Sequence, residues 1–331
     1  MKLLVAPDSF KGTYTAGEVA SHIAEGLEEG GVAAVRLPLA DGGEGTIAVL
    51  TEALGLEMLA VESCNPWRAS CPGMVAMASD GAGFVELAQV NGIPTADEGV
   101  RDPITADTYG VGMLMVAAAK AGVSRIVVAA GGSATTDGGL GALRAIEDGG
   151  GLGSLPVTVL TDVRTSYTDA ARIYGAQKGA TAAQQATLTE RLRKTAVELK
   201  RDPTGVPRTG AAGGFAGGLW AEFDAELVSG ADYILDALGF DEQASNAHAV
   251  IVGEGRLDAQ TSEGKIVSAV LARAAGLARF AVVGSVGADI GALRGEFDGI
   301  LIATDENAMR AAGRTIAQRL LSSALAAEHS D

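Results

Sequence analysis

The sequence is poor in the residues on which most enzyme nucleophiles and zinc centres depend. Its 331 residues include three histidines and two cysteines. His22 lies in a predicted amphipathic helix, His248 precedes a predicted strand and His329 lies near the C-terminus, so no Ser-His-Asp arrangement is indicated. Cys64 and Cys71 form no C-x-x-C pair, which argues against zinc, and we expect both to be ordinary reduced thiols.

Positive charge and long apolar runs are also scarce. The chain has 25 Lys and Arg against 41 Asp and Glu, a formal net charge of −16. Because binding to phosphate backbones or anionic lipids needs a basic stripe, neither nucleic acid nor a membrane is an expected partner. No apolar run approaches the roughly 18 residues of a membrane span, and the first nine residues lack the apolar core of a signal peptide. We therefore expect a cytoplasmic protein.

Glycine, in contrast, is abundant. The chain has 46 glycines and only 9 prolines, and the glycine share is roughly double the average of about 7%. The glycines stand in short clusters after apolar runs rather than in one long linker. Such clusters are typical of strand-to-loop turns at which the backbone approaches a ligand.

The two ends of the chain show the alternation of an α/β fold. An apolar strand is predicted over 2–6 and a helix over 15–29, where Thr15 and Glu18 form a capping box. A second strand and a second helix follow, and the same rhythm returns in the last third of the chain. This order predicts a parallel sheet with helices on its faces.

The pattern changes in the middle of the chain. Short alternating apolar runs over 56–92, separated by turn residues, predict an antiparallel meander. We therefore expect residues 1–56 and 245–331 to form one doubly wound α/β domain. Residues 57–244 are expected to form a second, mixed α/β domain inserted into the first.

Polar clusters that contain glycine follow four of the predicted strands. In open α/β sheets ligands bind beyond the carboxyl ends of the strands, so we expect these clusters to converge on one crevice. One such cluster is equally well explained as a tight turn, but four that all carry charged side chains favour a site. The clusters are residues 8–12, 41–46, 131–139 and 253–258.

The third of these clusters is typical of a phosphate site. Its glycines, together with Ser133 and Thr135, precede a helix predicted over 140–146, and backbone N–H groups at such a helix start bind anions. The sequence nevertheless contains neither G-x-x-x-x-G-K-[ST] nor G-x-G-x-x-G, and it lacks the protein-kinase motifs. If phosphate binds here, it binds to a less common architecture.

Carboxylates at the predicted strand ends are candidate Mg²⁺ ligands, because this ion takes one or two carboxylates together with phosphate and water oxygens. Taken singly, each is better explained as a helix cap or a turn residue. The carboxylates are Asp8, Asp41, Asp137, Asp162, Glu254 and Asp258. The candidate anion-binding cations are Lys11, Lys178, Arg256 and Lys265.

Seven motifs, taken together, resemble the bacterial glycerate kinase family. They occur in the family's order over nearly the whole chain, which makes the resemblance specific. The motifs are APDSFKG (6–12), PLADGGEGT (38–46), TYGVG (108–112), GGSATTDGGLG (131–141), YGAQKGA (174–180), GAAGGFAGG (210–218) and GEGRLDAQTSEGK (253–265).

This resemblance implies a kinase that uses ATP and Mg²⁺ to phosphorylate D-glycerate. It also implies a flavodoxin-like domain, an inserted domain likened to restriction endonucleases, and an active site in the cleft between them. The chain departs from the family where 139–157 is shorter, where 162–166 reads DVRTS instead of DVDNP, and where 65–67 reads NPW in place of DPLG. This chain therefore has Arg164 at the position of the family's second aspartate. Its substrate contacts near Trp67 are expected to differ from those of the family.

Phosphoryl transfer depends on positioning and charge neutralisation more than on covalent chemistry. The glycerate hydroxyl must lose a proton, and we expect Asp8 or Asp41 to accept it, or failing these Glu254 or Asp258. The predicted catalytic residues are Asp8, Lys11, Asp41 and Asp162. The predicted substrate-binding residues are Ser9, Glu254, Arg256, Asp258 and Lys265. The predicted ATP-binding residues are Gly131, Gly132, Ser133, Thr135 and Lys178, and the predicted Mg²⁺ ligands are Asp137 and Asp162.

Two other functions remain open at the level of the sequence. One is a non-catalytic sensor of a nucleotide or hydroxy acid, against which the full set of strand-end carboxylates argues. The other is a metal-dependent phosphatase. The sequence also leaves open which hydroxyl is phosphorylated and the oligomeric state, a homodimer included.

Overall fold

The computed structural model describes residues 1–93, 101–258, 261 and 266–328. The strands are β1 (Lys2–Pro7), β2 (Ala33–Arg36), β3 (Glu57–Cys64), β4 (Ser70–Met77), β5 (Ala82–Glu86), β6 (Arg125–Ala129), β7 (Val157–Leu160), β8 (Glu226–Val228), β9 (Ala249–Leu257), β10 (Ala278–Val286) and β11 (Gly299–Ile302). The helices are α1 (Ala16–Glu29), α2 (Thr46–Leu54), α3 (Ala88–Asn91), α4 (Tyr109–Lys120), α5 (Leu140–Asp148), α6 (Ala170–Tyr174), α7 (Ala182–Glu198), α8 (Phe215–Phe223), α9 (Gly230–Ala237), α10 (Phe240–Ser245), α11 (Ile266–Arg273) and α12 (Glu306–Glu328).

The chain divides into two compact units. The first combines Met1–Ala40 with Ile234–Asp331, and the second is Asp41–Tyr233. These limits differ from the predicted ones, because α2 lies in the second unit and α10 in the first. The second unit retains α2 because the N–H group of Ile47, at the start of that helix, donates to Glu86 at the end of β5.

The first unit is built on a parallel sheet with the strand order β2-β1-β9-β10-β11. With the strands renumbered within the unit, this order is 2-1-3-4-5. The chain adds strand β2 on one side of β1 and the later strands on the other side, so the strand order reverses between β1 and β9. Helix α1 begins at Thr15, whose capping box with Glu18 is confirmed. Helices α1 and α12 pack closely because Gly26 and Gly313 have no side chain, and a Cβ at Gly26 would lie 2.0 Å from the carbonyl oxygen of Arg310.

The second unit has a mixed sheet with the order β3-β4-β5-β6-β7-β8. The predicted antiparallel meander is confirmed as β3, β4 and β5, and β5 to β8 are parallel. The apolar core of this unit includes Val85, Val128, Val159, Met115 and Phe215, all fully buried. The α/β class with one parallel and one mixed sheet is therefore confirmed.

Cys64 and Cys71 are both thiols rather than the halves of a disulfide. Within the described ranges, no helix combines the length and the apolar character needed to cross a membrane.

Candidate active site

Polar groups collect at the carboxyl edge of the parallel strands in the second unit. Glu86 ends β5, Gly131 follows β6, Asp162 follows β7 and Gly230 follows β8. These four strands are neighbours in the sheet, and the carboxyl ends of such strands form the ligand-binding edge of open α/β folds. The sequence-predicted clusters at 41–46 and 131–139 both belong to this edge.

The loop of residues 41–45 contacts two other loops at this edge. The N–H group of Gly131 donates to the carbonyl of Gly42 at 3.4 Å. Gly42 has φ +84°, and a Cβ on it would lie 2.8 Å from the Cα atom of Gly230. Only glycine fits this combination of left-handed backbone and close approach. The carboxylate of Asp41 is held within the same loop, because its Oδ1 atom accepts the N–H of Gly43 at 3.0 Å.

Glu86 anchors this loop to the sheet. Its two carboxylate oxygens accept the N–H groups of Gly45 at 3.0 Å and Ile47 at 2.9 Å, which lie at the start of α2. A carboxylate at a helix N-terminus is favourable because of the helix dipole, although burial raises the pKa of Glu86. Glu86 is not among the site residues predicted from the sequence. The available signal was a carboxylate at the end of an otherwise apolar strand.

Lys178 meets the glycine-rich loop that follows β6. Its Nζ atom donates to Oγ of Ser133 at 2.7 Å and to the carbonyl of Thr135 at 2.6 Å. Desolvation lowers the pKa of Lys178 to about 7, against the opposing effect of Asp137. Two motifs that are far apart in sequence thus join, and three of the predicted ATP-binding residues lie together.

Asp137, predicted as a Mg²⁺ ligand, accepts hydrogen bonds at the starts of α4 and α5. Its Oδ2 atom accepts the N–H and the hydroxyl of Thr108 and the N–H of Gly141, and its Oδ1 atom accepts the N–H of Gly139, all between 2.8 and 3.0 Å. The N–H of Ala142 donates to the hydroxyl of Thr108. The N–H groups of Gly139, Gly141 and Ala142 are therefore bonded within the protein. This geometry favours capping over metal binding for Asp137, and it argues against a phosphate cradle at the start of α5.

The motif at 210–218 packs against the glycine-rich loop that follows β6. Gly213 has φ +67°, and a Cβ on it would lie 2.1 Å from the carbonyl oxygen of Thr135. A Cβ at Gly138 would lie 2.1 Å from the hydroxyl of Tyr167, which donates to the carbonyl of Gly138 at 2.9 Å. These glycines allow two loops to touch, so their role is packing rather than ligand contact.

Asp162 differs from Asp137 in having an unsatisfied oxygen. Its Oδ1 atom accepts the N–H of Ala231 at 3.2 Å, whereas its Oδ2 atom is buried and accepts no hydrogen bond from any residue that the structure describes. Burial first, and then the nearby charge of Asp41, raise the pKa of Asp162 to about 7. A buried carboxylate oxygen without a donor is costly, and a cation is a partner that would satisfy it.

A second polar group lies at the carboxyl edge of the first unit. Asp8 directly follows β1; its N–H donates to the carbonyl of Gly253 at 2.8 Å, and its Oδ1 atom accepts the N–H of Ser9 at 2.7 Å. Asp8 and Glu254 are each only 8% exposed. Both lie where the strand order reverses between β1 and β9, the position at which doubly wound folds bind ligands.

The last predicted cluster belongs to a strand rather than to a loop. β9 continues to Leu257 because it pairs with β10 as far as Leu257 and Val286. Arg256 therefore projects from the end of this strand, 67% exposed, with its Nε atom 3.3 Å from Asp258. The hydroxyl of Thr261 donates to Glu254 at 2.8 Å and accepts the N–H of Asp258; Thr261 was not predicted as a site residue.

Two predicted cations give less information. Lys11 is exposed on the turn after Phe10, where Gly12 has φ +79°. Lys265 lies outside the described residues.

The structure brings the predicted residues together in two sets. The first set is Asp41, Gly131, Gly132, Ser133, Thr135, Asp137, Asp162 and Lys178 in the second unit, and the other is Asp8, Ser9, Lys11, Glu254, Arg256 and Asp258 in the first.

No cluster of three or more metal-ligating side chains is present in the ranges that the structure describes. Mg²⁺ does not require one, because it is held by one or two carboxylates plus substrate phosphates and water. The orphaned oxygen of Asp162 fits such an ion, whereas the fourfold hydrogen-bonded carboxylate of Asp137 does not.

A scan of protein families matches this chain to one family model, described as the glycerate kinase family, over residues 3–148 and 151–327. Among curated relatives, a glycerate kinase of Halalkalibacterium halodurans is 34% identical over 86% of each chain. A glycerate 2-kinase of Escherichia coli strain K12 is 34% identical over 80% of each chain.

One solved structure has a similar fold throughout. It is a crystal structure from Salmonella typhimurium LT2 of a protein named provisionally as glycerate kinase 2. The match has a TM-score of 0.80 at 29% sequence identity, and it covers 98% of this chain and 99% of the other. The similarity therefore extends over both compact units.

Proposed function

Because the chain belongs to the glycerate kinase family, we propose that it transfers the γ-phosphoryl group of ATP to a hydroxyl of D-glycerate. The observation that supports this most directly is the combination at one sheet edge of the Lys178 ammonium, bound to Ser133, and the unsatisfied carboxylate oxygen of Asp162. A cation held by the loop after β6 and a cation-binding carboxylate in the loop after the neighbouring strand β7 are what a Mg²⁺-nucleotide requires. A non-catalytic sensor is not favoured.

In this proposal the nucleotide binds to the second unit. Gly131, Gly132 and Ser133 supply backbone and hydroxyl groups, and Lys178 supplies positive charge. Thr135 holds the loop in place, because its buried hydroxyl donates to Asn91 at 2.9 Å. The ammonium is preorganised by two hydrogen bonds, so it loses little conformational freedom when phosphate binds.

We assign the magnesium contact to Asp162 alone. When bound, Mg²⁺ neutralises charge on the transferring phosphoryl group. The residue's own task is to keep an ionised oxygen at the edge of the sheet, fixed by the N–H of Ala231.

The acceptor binds to the first unit in this proposal. Arg256 is largely exposed and only loosely paired with Asp258, so its guanidinium is available to the single carboxylate of glycerate. Ser9, Glu254 and Asp258 supply polar contacts, and Lys11 and Lys265 supply charge. Either Asp8 or Asp41 accepts the proton of the attacking hydroxyl. That the reaction takes place in a cleft between two domains stays a prediction.

Three finer assignments accompany this function. The 2-1-3-4-5 strand order of the first unit is that of flavodoxin-like folds, and we propose that fold for it and a restriction-endonuclease-like fold for the second unit. We also propose a cytoplasmic location. Since a 34% identical relative is named glycerate 2-kinase, we propose transfer to the 2-hydroxyl.

The test is formation of ADP from ATP and Mg²⁺ with a panel of small hydroxy acids. We expect turnover with D-glycerate and a product whose phosphorus couples, in NMR, to the proton at C2. Coupling to the C3 protons would reassign the hydroxyl. No substrate-dependent turnover would favour the sensor, and phosphate release from phosphoglycerate without nucleotide would indicate the phosphatase.

A further inference from the structure

Arg208 occupies a strained position in the loop between α7 and α8. Its φ is +72°, a left-handed conformation that side-chain-bearing residues other than Asn and Asp rarely adopt. The loop fixes this conformation, because the N–H of Arg208 donates to the carbonyl of Arg164 at 3.4 Å and its carbonyl accepts the N–H of Ala211 at 3.0 Å. Strain of this kind persists where surrounding structure imposes it, and it is commonest at functional sites.

The side chain of Arg208 lies beside the candidate magnesium ligand. Its Nη1 atom donates to the carbonyl of Thr161, the residue directly before Asp162, and its positive charge acts against the rise in the pKa of Asp162. The guanidinium is therefore at the same sheet edge as the unsatisfied Oδ2 atom of Asp162.

Arg208 also differs from several arginines of this acidic chain that pair with carboxylates. Arg68, Arg125, Arg273 and Arg310 each form an ion pair with a carboxylate. Arg208 forms none with the carboxylates of the described residues, and of its five N–H donors only one is used there, on the Thr161 carbonyl. A half-buried guanidinium with free donors, in a chain of net charge −16, is suited to an anion that arrives with a ligand.

We propose that Arg208 binds the γ-phosphoryl group of the nucleotide and is a catalytic residue for its transfer; this rests on the proposed kinase function. In the reaction, the bond between the γ-phosphorus and the bridging oxygen breaks, and ADP leaves with that electron pair. A bond forms between the same phosphorus and the acceptor hydroxyl oxygen, whose proton goes to a carboxylate. The guanidinium stays protonated throughout and stabilises negative charge on the transferring oxygens.

The test compares Arg208→Gly and Arg208→Lys with the wild-type enzyme. Glycine removes the guanidinium and accommodates the left-handed backbone, so Arg208→Gly is expected to fold with an unchanged or higher Tm. We expect its kcat to fall about 10³-fold, the lower end of what an arginine contributes to phosphoryl transfer. Lysine keeps the charge but not the planar fork, and an intermediate kcat is expected.

Nucleotide binding supplies a second readout. Calorimetry should show that Arg208→Gly binds the non-hydrolysable ATP analogue AMP-PNP about tenfold more weakly, as expected for a lost charge-assisted hydrogen bond, while ADP affinity stays within twofold. Millimolar guanidinium chloride should restore part of the kcat of Arg208→Gly. It should not increase the kcat of the wild-type enzyme. A merely structural role for Arg208 would produce neither result.

The matched control is Arg164→Gln, which removes an exposed positive charge from the loop that Arg208 contacts. Its kcat should stay within threefold of the wild type. Equal losses in the two variants, a kcat for Arg208→Gly within threefold of the wild type, or equal weakening of AMP-PNP and ADP would each overturn the proposal. If the wild type does not turn over glycerate, the proposed function fails, while the comparison of AMP-PNP with ADP still decides the role of Arg208.

Discussion

The Nζ atom of Lys178 lies 2.7 Å from Oγ of Ser133, although 45 residues separate the two in sequence. The contact joins the two motifs that were predicted to bind the nucleotide. It also removes the ammonium from water, and this desolvation lowers the pKa of Lys178 to about 7. The lysine is therefore mostly neutral above that pH until an anion restores its proton.

We expect ATP binding at pH 8 to be coupled to proton uptake. Phosphate oxygens near the ammonium favour its charged form and raise its pKa, so the complex takes up between about half a proton and one proton. Calorimetric titrations in buffers of different ionisation enthalpy measure this number. Lys178→Met should abolish the uptake and weaken binding.

The control for proton uptake is Lys194→Met, because Lys194 is an exposed lysine of α7 whose nearest carboxylate is Glu190 at 3.9 Å. This variant should retain the uptake of the wild type. Equal uptake in Lys178→Met would mean that another group takes up the proton and that the ammonium does not meet the phosphates.

The raised pKa of Asp162 leads us to expect an unusual dependence of stability on pH. Its pKa rises from 3.8 to about 7 on folding, so between these values the native state binds more protons than the unfolded state. Stability therefore falls as pH rises through this window. Asp162→Asn should remove this slope and increase the free energy of unfolding at pH 8 by roughly 1–3 kcal/mol, measured by urea denaturation at pH 4, 6 and 8.

Asp202 provides a comparison of opposite sign. Bonds from the side chain and the backbone of Thr204 lower the pKa of this exposed carboxylate, so its contribution is present at neutral pH and is lost on acidification. Asp202→Asn should thus be slightly destabilising at pH 8 and neutral in acid.

The assignment of Asp162 as the Mg²⁺ ligand also requires that Mg²⁺ with ATP raises the Tm of the wild type but not of Asp162→Asn. An equal increase in Tm would rule out Asp162 as the ligand.

Asp137→Asn should affect folding rather than magnesium binding. The substitution places an NH₂ group where the carboxylate now accepts hydrogen bonds from Thr108, Gly139 and Gly141. Losing acceptors for buried donors should lower the free energy of unfolding by about 2–4 kcal/mol. The Mg²⁺ concentration for half-maximal activity should not change in the folded fraction, and a tenfold increase would restore Asp137 as a ligand.

The sequence predicts those parts of the fold that local patterns determine. The capping box of Thr15, strand β1 and the antiparallel meander of β3, β4 and β5 follow from periodicity and from residues close in sequence. The unit boundary near residue 40 does not, because α2 is retained by Glu86, which is 41 residues from Gly45. Likewise, β9 extends through a glycine-rich motif that resembles a loop, because β10 pairs with it along its whole length.

The same distinction applies to the candidate site. Strand-end carboxylates and glycine-rich motifs select Ser133, Asp162 and Lys178 as candidate site residues, and their roles stay predictions. These patterns do not separate Asp162 from Asp137, since that difference depends on Thr108, 29 residues before Asp137. Arg208 could not be selected from the sequence, because neither its left-handed backbone nor its lack of a carboxylate partner leaves a local pattern.

The proton acceptor can be identified by comparing Asp8→Asn and Asp41→Asn. Each variant keeps the shape of the side chain and removes its basicity, and loss of the general base should lower kcat by ~10²- to 10⁴-fold. The other carboxylate only holds its own loop, by accepting the N–H of Ser9 or of Gly43. Its substitution should lower the free energy of unfolding by about 1 kcal/mol and leave turnover nearly unchanged. Tm and kcat, measured together, separate the two roles.

Glu86→Gln is the matched control for Asp41, because it weakens the attachment of the same loop without changing the Asp41 carboxylate. Its Tm should fall, since one of the N–H groups of Gly45 and Ile47 loses its acceptor, but the dependence of kcat on pH should keep the shape of the wild type. Asp41→Asn should instead lower kcat throughout the profile if Asp41 is the base. Should both Asp8→Asn and Asp41→Asn retain kcat within a few-fold, neither accepts the proton, and Glu254 and Asp258 become the residues to substitute next.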